Sequence, residues 1–445
     1  MSLRFGTDGV RGDAETELTR ELVLALGRAA ALVLPGERWL IGRDTRASGP
    51  RIGRDLGAGL ALEGREVELL GVLPTPGIAF LSTVEDRPAA VISASHNPWT
   101  DNGIKFFAPG GRKLTDEIEE RLEAELDRLL DGSDASGSID DAPVDDGPEA
   151  EADVHRYRDW LVGSLDGRGL DGLRVVLDCA NGAASGLAPE VFGMLGATVE
   201  VFHDQPDGRN INAGCGSTDP SALVQRMRQG GADIGLAFDG DADRVIAVDE
   251  HGNIIDGDHI IAMCAIDRRD RGLLPNDTVV ITVMSNLGLR RGLAATGIEV
   301  IETPVGDRYV LEALDQHGLM LGGEQSGHII FRDLATTGDG VLTGLQVADL
   351  LMRSGRFLSD WAQTSMRSYP QVLRNVKVKS RDGGLVDRLA GDIAAVEAEL
   401  ADDGRVLVRP SGTEPVVRVM VEAPSTLLAE AMADRLVAAV QRAAG

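Results

Sequence analysis

The chain has 445 residues, of which 43% are hydrophobic, and this length is enough for several domains with separate apolar cores. An excess of acidic over basic residues, 71 against 44, gives a formal net charge of −27, which repels nucleic acid and anionic lipid. No apolar run approaches the length of a membrane span, and the first residues lack the core of a signal peptide. We therefore expect a cytoplasmic protein, monomer or homodimer, without nucleic-acid or membrane partners.

The first 150 residues alternate between helix-like and strand-like segments. Helical periodicity is found over 19–33, 50–63 and 115–130. Strand-like apolar runs occupy 66–73 and 89–93. Residues 131–153 are acidic and contain Gly, Ser and Pro without any periodicity, which is typical of a domain linker.

Alternation of strands and helices continues through the middle of the chain and predicts open, mostly parallel α/β sheets. Strands are predicted at 173–179, 197–202, 278–283 and 298–302. The tail after Tyr369 differs, because two extended runs at 406–410 and 416–422 are flanked by helical patterns at about 384–400 and 425–443. That order predicts a smaller α+β domain with an antiparallel sheet.

The three cysteines, Cys179, Cys215 and Cys264, lie far apart in the sequence. They show no metal-type spacing, cannot all pair with one another, and suit a reducing compartment.

Ser95 stands on a polar turn directly after the apolar run at 89–93. Pro98 disfavours a helical conformation at Asn97, so the strand cannot continue straight into a helix. A serine in such a turn is most often structural, and neither a GxSxG elbow nor a Ser-His-Asp triad can be read from the spacing. The nearby Lys105 and the acidic loop described next favour a hydroxyl that carries a phosphoryl group.

Asp239, Asp241 and Asp243 alternate on a glycine-containing turn between two apolar runs. Carboxylates without His or Cys beside them prefer a hard cation, so the loop predicts a magnesium site. The pattern also opens an EF-hand calcium loop, with Glu250 as its last ligand. Against that alternative, Arg244 stands where the EF-hand needs glycine, and the flanks are strand-like.

Residues 321–329 form a third polar segment between apolar runs. Glu324 and Ser326 can bond sugar hydroxyls, and the neighbouring glycines allow a ligand to approach the backbone. His328 can move protons near neutral pH, although a single histidine at the start of a strand is more often structural.

Residues 408–418 form a fourth polar segment in which an arginine, hydroxyls and a glycine share one turn. Arg418 follows in the next strand. Such a group can hold a phosphate, although a plain hairpin connection explains the sequence equally well. The GxxxxGK[ST] pattern of a Walker A loop is absent.

Five motifs, in this order, resemble those of the α-D-phosphohexomutase family over the whole chain. They are FGTDGVRG at 5–12, ISASHNP at 92–98, DGDADR at 239–244, GEQSGH at 323–328 and RPSGTEP at 409–415. NGIKFF at 102–107, VGDRYV at 305–310 and the glutamine of GEQSGH look most like bacterial members that act on glucosamine phosphates. Trp99 and Thr100 depart mildly from the family pattern, which has an aromatic pair or Tyr-Asp there.

The resemblance implies three consecutive α/β domains with mixed, mostly parallel sheets plus a smaller C-terminal α+β domain, around a central cleft. The first three domains would share one topology, and each domain would contribute one loop. The expected domains are 1–150 with the phosphoserine loop, 151–253 with the metal-binding loop, 254–366 with the sugar-binding loop and 367–445 with the phosphate-binding loop.

Individual roles follow from the same resemblance. Ser95 would carry the phosphoryl group and hold one Mg²⁺ per chain together with Asp239, Asp241 and Asp243. Proton transfer and charge neutralisation would fall to Arg11, Lys105 and His328. Substrate would be bound by His96, Arg244, Arg308, Glu324 and Ser326, and its non-reacting phosphate by Arg409, Ser411, Gly412, Thr413 and Arg418.

The expected reaction interconverts glucosamine 6-phosphate and glucosamine 1-phosphate through a phosphoserine enzyme and a 1,6-bisphosphate intermediate. This isomerase would supply amino-sugar nucleotide and cell-wall precursor synthesis, with glucosamine 1,6-bisphosphate or an equivalent as activator. Two alternatives stay open: a phosphomannomutase/phosphoglucomutase of the same family, and a non-catalytic calcium- or sugar-phosphate-binding protein.

Overall fold

The computed structural model describes residues 9–131, 148–378, 384–410 and 415–444. The chain divides into two compact units. The larger comprises Met1–Val283 with Ile298–Ala362, and the smaller comprises Met284–Gly297 with Gln363–Gly445. Within the described ranges, no helix combines the length and the apolar character needed to cross a bilayer.

The first sheet has the strand order β1-β5-β4-β2-β3, with β6 paired to β5. Its strands are β1 Val10–Asp13, β2 Arg38–Arg43, β3 Glu66–Val72, β4 Ala89–Ile92, β5 Asp101–Ala108 and β6 Arg112–Lys113. Strand β2 runs parallel to β3 and β4, whereas β5 is antiparallel to β1, β4 and β6. The accompanying helices are α1 Arg20–Val33, α2 Gly49–Leu62, α3 Thr75–Glu85 and α4 Asp116–Asp131.

The second sheet has the order β11-β10-β9-β7-β8. Its strands are β7 Arg174–Asp178, β8 Thr198–Phe202, β9 Ile234–Phe238, β10 Val245–Val248 and β11 Ile254–Ile255. Strand β7 is parallel to β8 and β9, and β10 is antiparallel to β9 and β11. The helices of this part of the chain are α5 Pro148–Gly163, α6 Ala184–Met194 and α7 Ser221–Arg228.

The third sheet has the order β13-β12-β14-β15. Its strands are β12 Thr278–Thr282, β13 Glu299–Thr303, β14 Leu321–Gly323 and β15 Ile329–Phe331. Strand β12 is parallel to β13 and β14, and β15 is antiparallel to β14. Helices here are α8 Gly257–Asp270, α9 Leu287–Ala295, α10 Asp307–His317, α11 Gly340–Ser354 and α12 Leu358–Ser365.

One four-strand pattern recurs in these three sheets. In each, the first strand lies between two parallel neighbours, and the third strand turns back into an antiparallel fourth. The repeated series are β2-β3-β4-β5, β7-β8-β9-β10 and β12-β13-β14-β15. This recurrence agrees with the common topology that the resemblance implied, and the mixed α/β fold class is confirmed.

The smaller unit contains an antiparallel sheet in the order β16-β18-β17, as the tail pattern predicts. Its strands are β16 Gln371–Lys377, β17 Arg405–Pro410 and β18 Val416–Glu422, and its C-terminal helices are α13 Leu385–Arg388, α14 Ala390–Leu400 and α15 Thr426–Ala444. Val417, Val419 and Val421 of the central strand lie in one apolar core with α15 residues such as Leu436 and Val440. Side chains of the alternate positions, including Arg418, therefore point to the other face of the sheet.

One expectation about the elements needs correction, and one strand of the smaller unit was not predicted. The predicted linker at 131–153 overlaps α5, which begins at Pro148, and most of the remainder lies outside the described residues. Strand β16 was not predicted, because its sequence QVLRNVK carries polar residues at several positions. The strand pairs with β18 along all seven residues, and this pairing satisfies its backbone hydrogen bonds. The side-chain pattern alone does not indicate a strand.

Two glycines set the contact between α1 and α2. A Cβ added to Gly59 would lie 2.2 Å from the Leu24 carbonyl oxygen, and one added to Gly27 would lie 2.3 Å from the Leu56 carbonyl oxygen. The two backbones therefore approach closely, which brings the apolar faces of both helices into the core of the first sheet.

Gly59→Ala should lower the unfolding midpoint, because the methyl group would meet backbone that cannot move without separating the helices. The expected cost is about 1–3 kcal/mol, measured by urea unfolding followed by circular dichroism. Gly186→Ala is the matched control, since Gly186 also lies in a helix but has no atom within 4 Å of the added Cβ. There the higher helix propensity of alanine should raise stability by up to about 1 kcal/mol. Equal effects of the two substitutions would contradict the helix contact.

Candidate active site

Three polar loops occupy the same position in the three related sheets. Each connects the third strand of the repeated pattern to its antiparallel fourth strand. The loops are 93–100 between β4 and β5, 239–244 between β9 and β10, and 324–328 between β14 and β15. The serine, aspartate and GEQSGH segments found in the sequence are thus equivalent structural positions.

Ser95 is 1% exposed and has a left-handed backbone, with φ 51°. Its hydroxyl donates to Asp239 Oδ2 at 2.7 Å and lies 3.3 Å from His96 Nδ1. A non-glycine residue in this region costs about 1–2 kcal/mol, so the surrounding contacts must impose the conformation.

Arg46 holds the serine loop by its carbonyl groups. The guanidinium is completely buried and donates to the carbonyls of Ser95 and Asn97, each at 2.9 Å, and also to those of Pro98 and Asp101. This one side chain therefore fixes the course of the loop that presents Ser95. Sequence reasoning missed it, because Arg46 lies 49 residues earlier in the chain.

Arg46 is itself neutralised by a buried carboxylate. Asp44 Oδ2 lies 2.8 Å from Arg46 Nε and also accepts a hydrogen bond from Ser93 Oγ at 2.7 Å. Ser93 Oγ in turn accepts from the Ser95 amide at 2.9 Å. Burial raises the pKa of Asp44, and the adjacent Arg46 opposes that shift.

A residue of the second domain also bonds the serine loop. Asn212 Nδ2 donates to the Ser95 carbonyl at 2.8 Å and to the Asn97 carbonyl at 3.1 Å. These bonds join the loop after β4 to the segment between β8 and α7. Asn212, like Arg46, lacks a motif that would have identified it from the sequence.

The three aspartates of the loop 239–244 converge. Asp239, Asp241 and Asp243 are between 0% and 4% exposed, and one carboxylate oxygen from each lies within 4.8 Å of the others. Thr75 Oγ1 donates to Asp241 Oδ2 at 2.7 Å. Among the described residues, Asp241 Oδ1 and Asp243 Oδ1 are buried without a hydrogen-bond partner. Orphaned carboxylate oxygens in an all-oxygen set fit a hard divalent cation.

The pKa shifts of the aspartates also favour a bound cation in this loop. Burial, and then the charges of Asp243 and Asp241, raise the pKa of Asp239 well above its usual range. Burial also opposes ionisation of Asp243, but the contact with His328 and the charges of Arg244 and Lys105 hold its pKa well below the usual range. A bound cation would relieve the repulsion that the three carboxylates exert on one another.

The EF-hand alternative for this loop is wrong. The flanking elements are strands β9 and β10. Glu250, which would be the last calcium ligand, accepts hydrogen bonds from the amide and hydroxyl of Ser359 instead.

Positive groups surround the loop. Arg244 Nη1 lies 3.2 Å from His96 Nδ1, and its backbone amide donates to Asp239 Oδ1 at 3.1 Å. Burial, followed by the charges of Arg244 and Arg11, lowers the pKa of His96, so this imidazole is neutral at neutral pH. Lys105 and Arg11 lie on β5 and β1 of the first sheet, close enough for their charges to act on Asp243 and His96 respectively.

His328 is 1% exposed. The Gly338 amide donates to its Nε2 at 3.0 Å, and the same nitrogen lies 3.5 Å from Asp307 Oδ2. The other ring nitrogen, Nδ1, lies 3.5 Å from Asp243 Oδ2. The predicted role of His328 in proton transfer stays a prediction.

The third loop lies against the second sheet. Gly327 pairs with Val245, whose amide donates to the Gly327 carbonyl at 3.1 Å. A Cβ on Gly327 would come within 2.1 Å of the Val245 carbonyl oxygen, so glycine is required for this approach. Glu324 is half-buried and accepts from the Gly306 amide at 3.1 Å, and Ser326 is exposed.

Arg308, expected from the resemblance to bind substrate, is engaged elsewhere in this structure. It is 7% exposed and lies 2.6 Å from Asp116, 3.3 Å from Glu119 and 3.0 Å from Glu312. The neighbouring Asp307 forms an ion pair with Lys113. These contacts tie α10 to the segment around α4, and the structure does not bring Arg308 to the aspartates.

The predicted phosphate cradle is described only in part, since Ser411, Gly412 and Thr413 lie outside the described residues. Arg409 and Arg418 are directly opposite each other on β17 and β18 and are half-buried. Burial, and then the charge of Arg418, lower the pKa of Arg409. Within the described ranges neither guanidinium has a carboxylate partner, an arrangement that favours an anion between them.

Comparison with known proteins follows the same division of the chain. Models of phosphoglucomutase/phosphomannomutase alpha/beta/alpha domains I, II and III match residues 2–131, 159–252 and 256–369, and the model of the C-terminal domain matches 373–439. The chain therefore belongs to the phosphoglucomutase/phosphomannomutase family, the α-D-phosphohexomutases. Its relatives include the phosphoglucosamine mutase of Thermobifida fusca, 52% identical over 98% of this chain and 97% of that protein. That of Halalkalibacterium halodurans is 48% identical over 100% of both chains.

Solved structures agree with this assignment. A phosphoglucomutase/phosphomannomutase family protein from Burkholderia thailandensis has a TM-score of 0.80 and 25% identity, covering 100% of this chain and 98% of its own. An N-acetylphosphoglucosamine mutase from Aspergillus fumigatus, solved with GlcNAc-6P and magnesium, shares the fold at a TM-score of 0.70 and 19% identity, covering 100% and 96%. The expected membership of the phosphohexomutases, intramolecular phosphotransferases of the isomerase class, is confirmed.

Arg46→Met should destabilise the first domain strongly. The substitution leaves Asp44 buried without its positive partner and releases the carbonyls of the serine loop, at an expected cost of about 3–5 kcal/mol in urea unfolding. Arg54→Met is the matched control, because Arg54 is exposed and bonds only the Pro50 carbonyl of its own helix. Its effect should stay within about 0.5 kcal/mol. Adding Asp44→Asn to Arg46→Met should recover part of the loss, and no recovery would mean that the buried charge pair is not its cause.

Proposed function

We propose that this protein interconverts glucosamine 6-phosphate and glucosamine 1-phosphate, the reaction named for its close relatives, with Ser95 as the residue that carries the phosphoryl group. The observation that carries this proposal is the 2.7 Å hydrogen bond from Ser95 Oγ to Asp239 of the buried aspartate cluster. A hydroxyl beside a cation-type site is the arrangement that phosphoryl transfer requires.

Magnesium is the proposed cofactor, held by Asp239, Asp241, Asp243 and an oxygen on Ser95. When bound, it would supply positive charge for the phosphoryl oxygens. The donor set is all oxygen, and its two orphaned carboxylate oxygens support this assignment. Arg244 would add a guanidinium beside the same loop.

The reaction proposed has two transfers of the same kind. Phospho-Ser95 gives its phosphoryl group to the free hydroxyl of the sugar phosphate, and a 1,6-bisphosphate forms. The bisphosphate then turns, and its other phosphoryl group returns to Ser95. Each transfer moves one proton between the sugar hydroxyl and the protein, for which Lys105, Arg11 and His328 remain the proposed groups. Neutral His96 lies beside both Ser95 and Arg244, and it would contact the phosphoryl group and orient it.

Sugar recognition is assigned to the loop 324–328. Glu324 and Ser326 would bond sugar hydroxyls, and the carboxylate of Glu324 is a candidate partner for the substrate ammonium. Identity of about 50% to phosphoglucosamine mutases supports the amino sugar over glucose or mannose. Comparable kcat/KM for glucose 1-phosphate and glucosamine 1-phosphate would instead support the phosphomannomutase/phosphoglucomutase alternative.

The non-reacting phosphate is assigned to Arg409 and Arg418, with Ser411, Gly412 and Thr413. The opposed pair of half-buried guanidinium groups supports this assignment, because an anion would remove their mutual repulsion. A bisphosphate that turns must present either phosphate to this group, so the contacts have to accept both ends of the sugar.

Several wider expectations belong to the same proposal. The four sheets support a division into domains near 1–150, 151–253, 254–366 and 367–445. A cytoplasmic enzyme, monomeric or homodimeric, that is activated by glucosamine 1,6-bisphosphate and supplies cell-wall precursor synthesis would fit this reaction.

Ser95→Ala should abolish turnover and leave the protein without a bound phosphoryl group. The hydroxyl is the acceptor, and the loop keeps its backbone bonds to Arg46. Activity measured in a coupled assay should fall by far more than tenfold, which corresponds to about 1.4 kcal/mol in the barrier. Peptide mapping by mass spectrometry should locate the phosphate on Ser95 in the wild type. Retention of a tenth of the rate would count against covalent catalysis.

Asp241→Asn should weaken magnesium binding, because the hard cation depends on each of a few carboxylates. Isothermal titration with Mg²⁺ should give a higher Kd, and activity should need more magnesium. Asp270→Asn is the control, since Asp270 is exposed and forms an ion pair with its neighbour Arg269. If the Asp241→Asn titration overlays that of the wild type, the assignment of the loop is wrong.

Arg418→Ala should mainly raise KM, because the phosphate it holds is bound in ground state and transition state alike. The variant should also release the bisphosphate more often and so depend more on added glucosamine 1,6-bisphosphate. Arg374→Ala on the neighbouring strand β16 is the control, because the Arg374 guanidinium lies 3.8 Å from Asp434. A wild-type KM together with unchanged bisphosphate dependence would falsify the cradle.

A further inference from the structure

A second cluster of metal-ligand side chains lies in the second domain, apart from the aspartate loop. Asp178 ends β7, His203 follows β8, and Cys215 belongs to the segment before α7. One ligand atom from each lies within 4.8 Å of the others. The cluster joins residues from three separate segments, which is why the sequence spacing of the cysteines gave no indication of it.

The contact between Asp178 and His203 has the distance of a hydrogen bond without its alignment. Asp178 Oδ1 lies 3.0 Å from His203 Nδ1, yet this nitrogen is buried with no hydrogen-bond partner among the described residues. Asp178 is completely buried, and its Oδ2 also has no partner. Asp178 Oδ1 accepts from the Ala180 amide at 3.0 Å, so the two atoms left without a partner are Asp178 Oδ2 and His203 Nδ1. Such buried polar atoms are costly unless a bound group satisfies them.

We propose that Asp178, His203 and Cys215 form a site for a borderline divalent cation of the zinc type. Thiolate, imidazole and carboxylate are the ligands that Zn²⁺ prefers, whereas magnesium avoids sulfur and nitrogen. Tetrahedral zinc with bonds of about 2.0–2.3 Å separates its ligand atoms by about 3.3–3.8 Å. The ligand atoms of the cluster lie within 4.8 Å of one another, a limit that includes this range.

Exposure differs among the three residues of the cluster. Asp178 and Cys215 are completely buried, whereas the side chain of His203 is 30% exposed. Solvent therefore reaches the cluster at the imidazole. Bonding of the Cys215 sulfur to a cation would release the thiol proton to solvent.

The location connects this site to the serine loop. Asn212, three residues before Cys215, donates through its amide to the Ala180 carbonyl at 3.0 Å and through its side chain to the Ser95 carbonyl. The Asn181 amide donates to the His203 carbonyl at 2.6 Å. A cation here would cross-link three segments, one of which bonds the Ser95 loop through Asn212.

Cobalt(II) provides the test, because a thiolate ligand gives a near-ultraviolet charge-transfer band that oxygen ligands cannot produce. The full-length protein, stripped with a chelator, is titrated with Co²⁺ in the presence of excess Mg²⁺ to occupy the aspartate loop. We expect one equivalent to produce the thiolate band, with visible bands of tetrahedral cobalt, and Zn²⁺ to displace it.

Two variants and one control make the assignment specific. Cys215→Ser should remove the thiolate band. His203→Asn should weaken cobalt binding at least about tenfold, and asparagine is chosen because it tolerates the left-handed backbone of His203, with φ 49°. Cys264→Ser, which removes another buried cysteine on α8, should bind cobalt like the wild type.

Thermal unfolding provides a second measurement. The midpoint of the wild type should rise with Zn²⁺ concentration, and that of His203→Asn should not. A stripped wild-type protein that shows no thiolate band, or a band that persists in Cys215→Ser, overturns the proposal. Either outcome leaves the assignment of Ser95 and the aspartate loop untouched, since these rest on separate residues.

Discussion

The structure depends on the burial of three carboxylates in one short loop. Asp239, Asp241 and Asp243 repel one another, and two of their oxygens are left without partners. Such an arrangement is stable only with positive charge nearby, which explains why Arg244, Lys105 and Arg11 lie around it. The same cost favours a divalent cation, and the hydroxyl of Ser95 is directed at this loop. The repulsion among the three buried carboxylates therefore bears both on the folding of this region and on the proposed phosphoryl chemistry.

The repeated four-strand pattern explains how distant sequence motifs come together. In each of three sheets the active loop lies where the third strand reverses into an antiparallel fourth. Contacts between the loops then fix their mutual positions: Ser95 with Asp239, and Gly327 with Val245. The three loops are equivalent in position and different in sequence, so the recurring strand pattern is compatible with a different proposed role for each loop.

The sequence was most informative where a site is local. The aspartate loop and the turn at Ser95 are each contained in a few consecutive residues, and the structure places Ser95 beside Asp239. Arg46, Asp44 and Asn212 could not be predicted, because their importance comes from burial and from carbonyl groups far along the chain. Arg308 belongs to a recognisable motif and pairs here with carboxylates of α4 and α10, and its contact with substrate stays a prediction. The cluster of Asp178, His203 and Cys215 could not be predicted either, because its residues come from three separate segments that meet only in the folded protein.

The left-handed backbone of Ser95 limits how this enzyme can evolve. Serine and threonine are often interchangeable as phosphoryl acceptors, because both carry a hydroxyl on Cβ. A β-branched residue, however, is strongly disfavoured at positive φ, whereas asparagine and aspartate tolerate it. Threonine is therefore a poor substitute at this position, although its chemistry would serve. For the proposed role of Ser95 as phosphoryl acceptor, the backbone conformation therefore favours serine over threonine, in addition to the requirement for a hydroxyl.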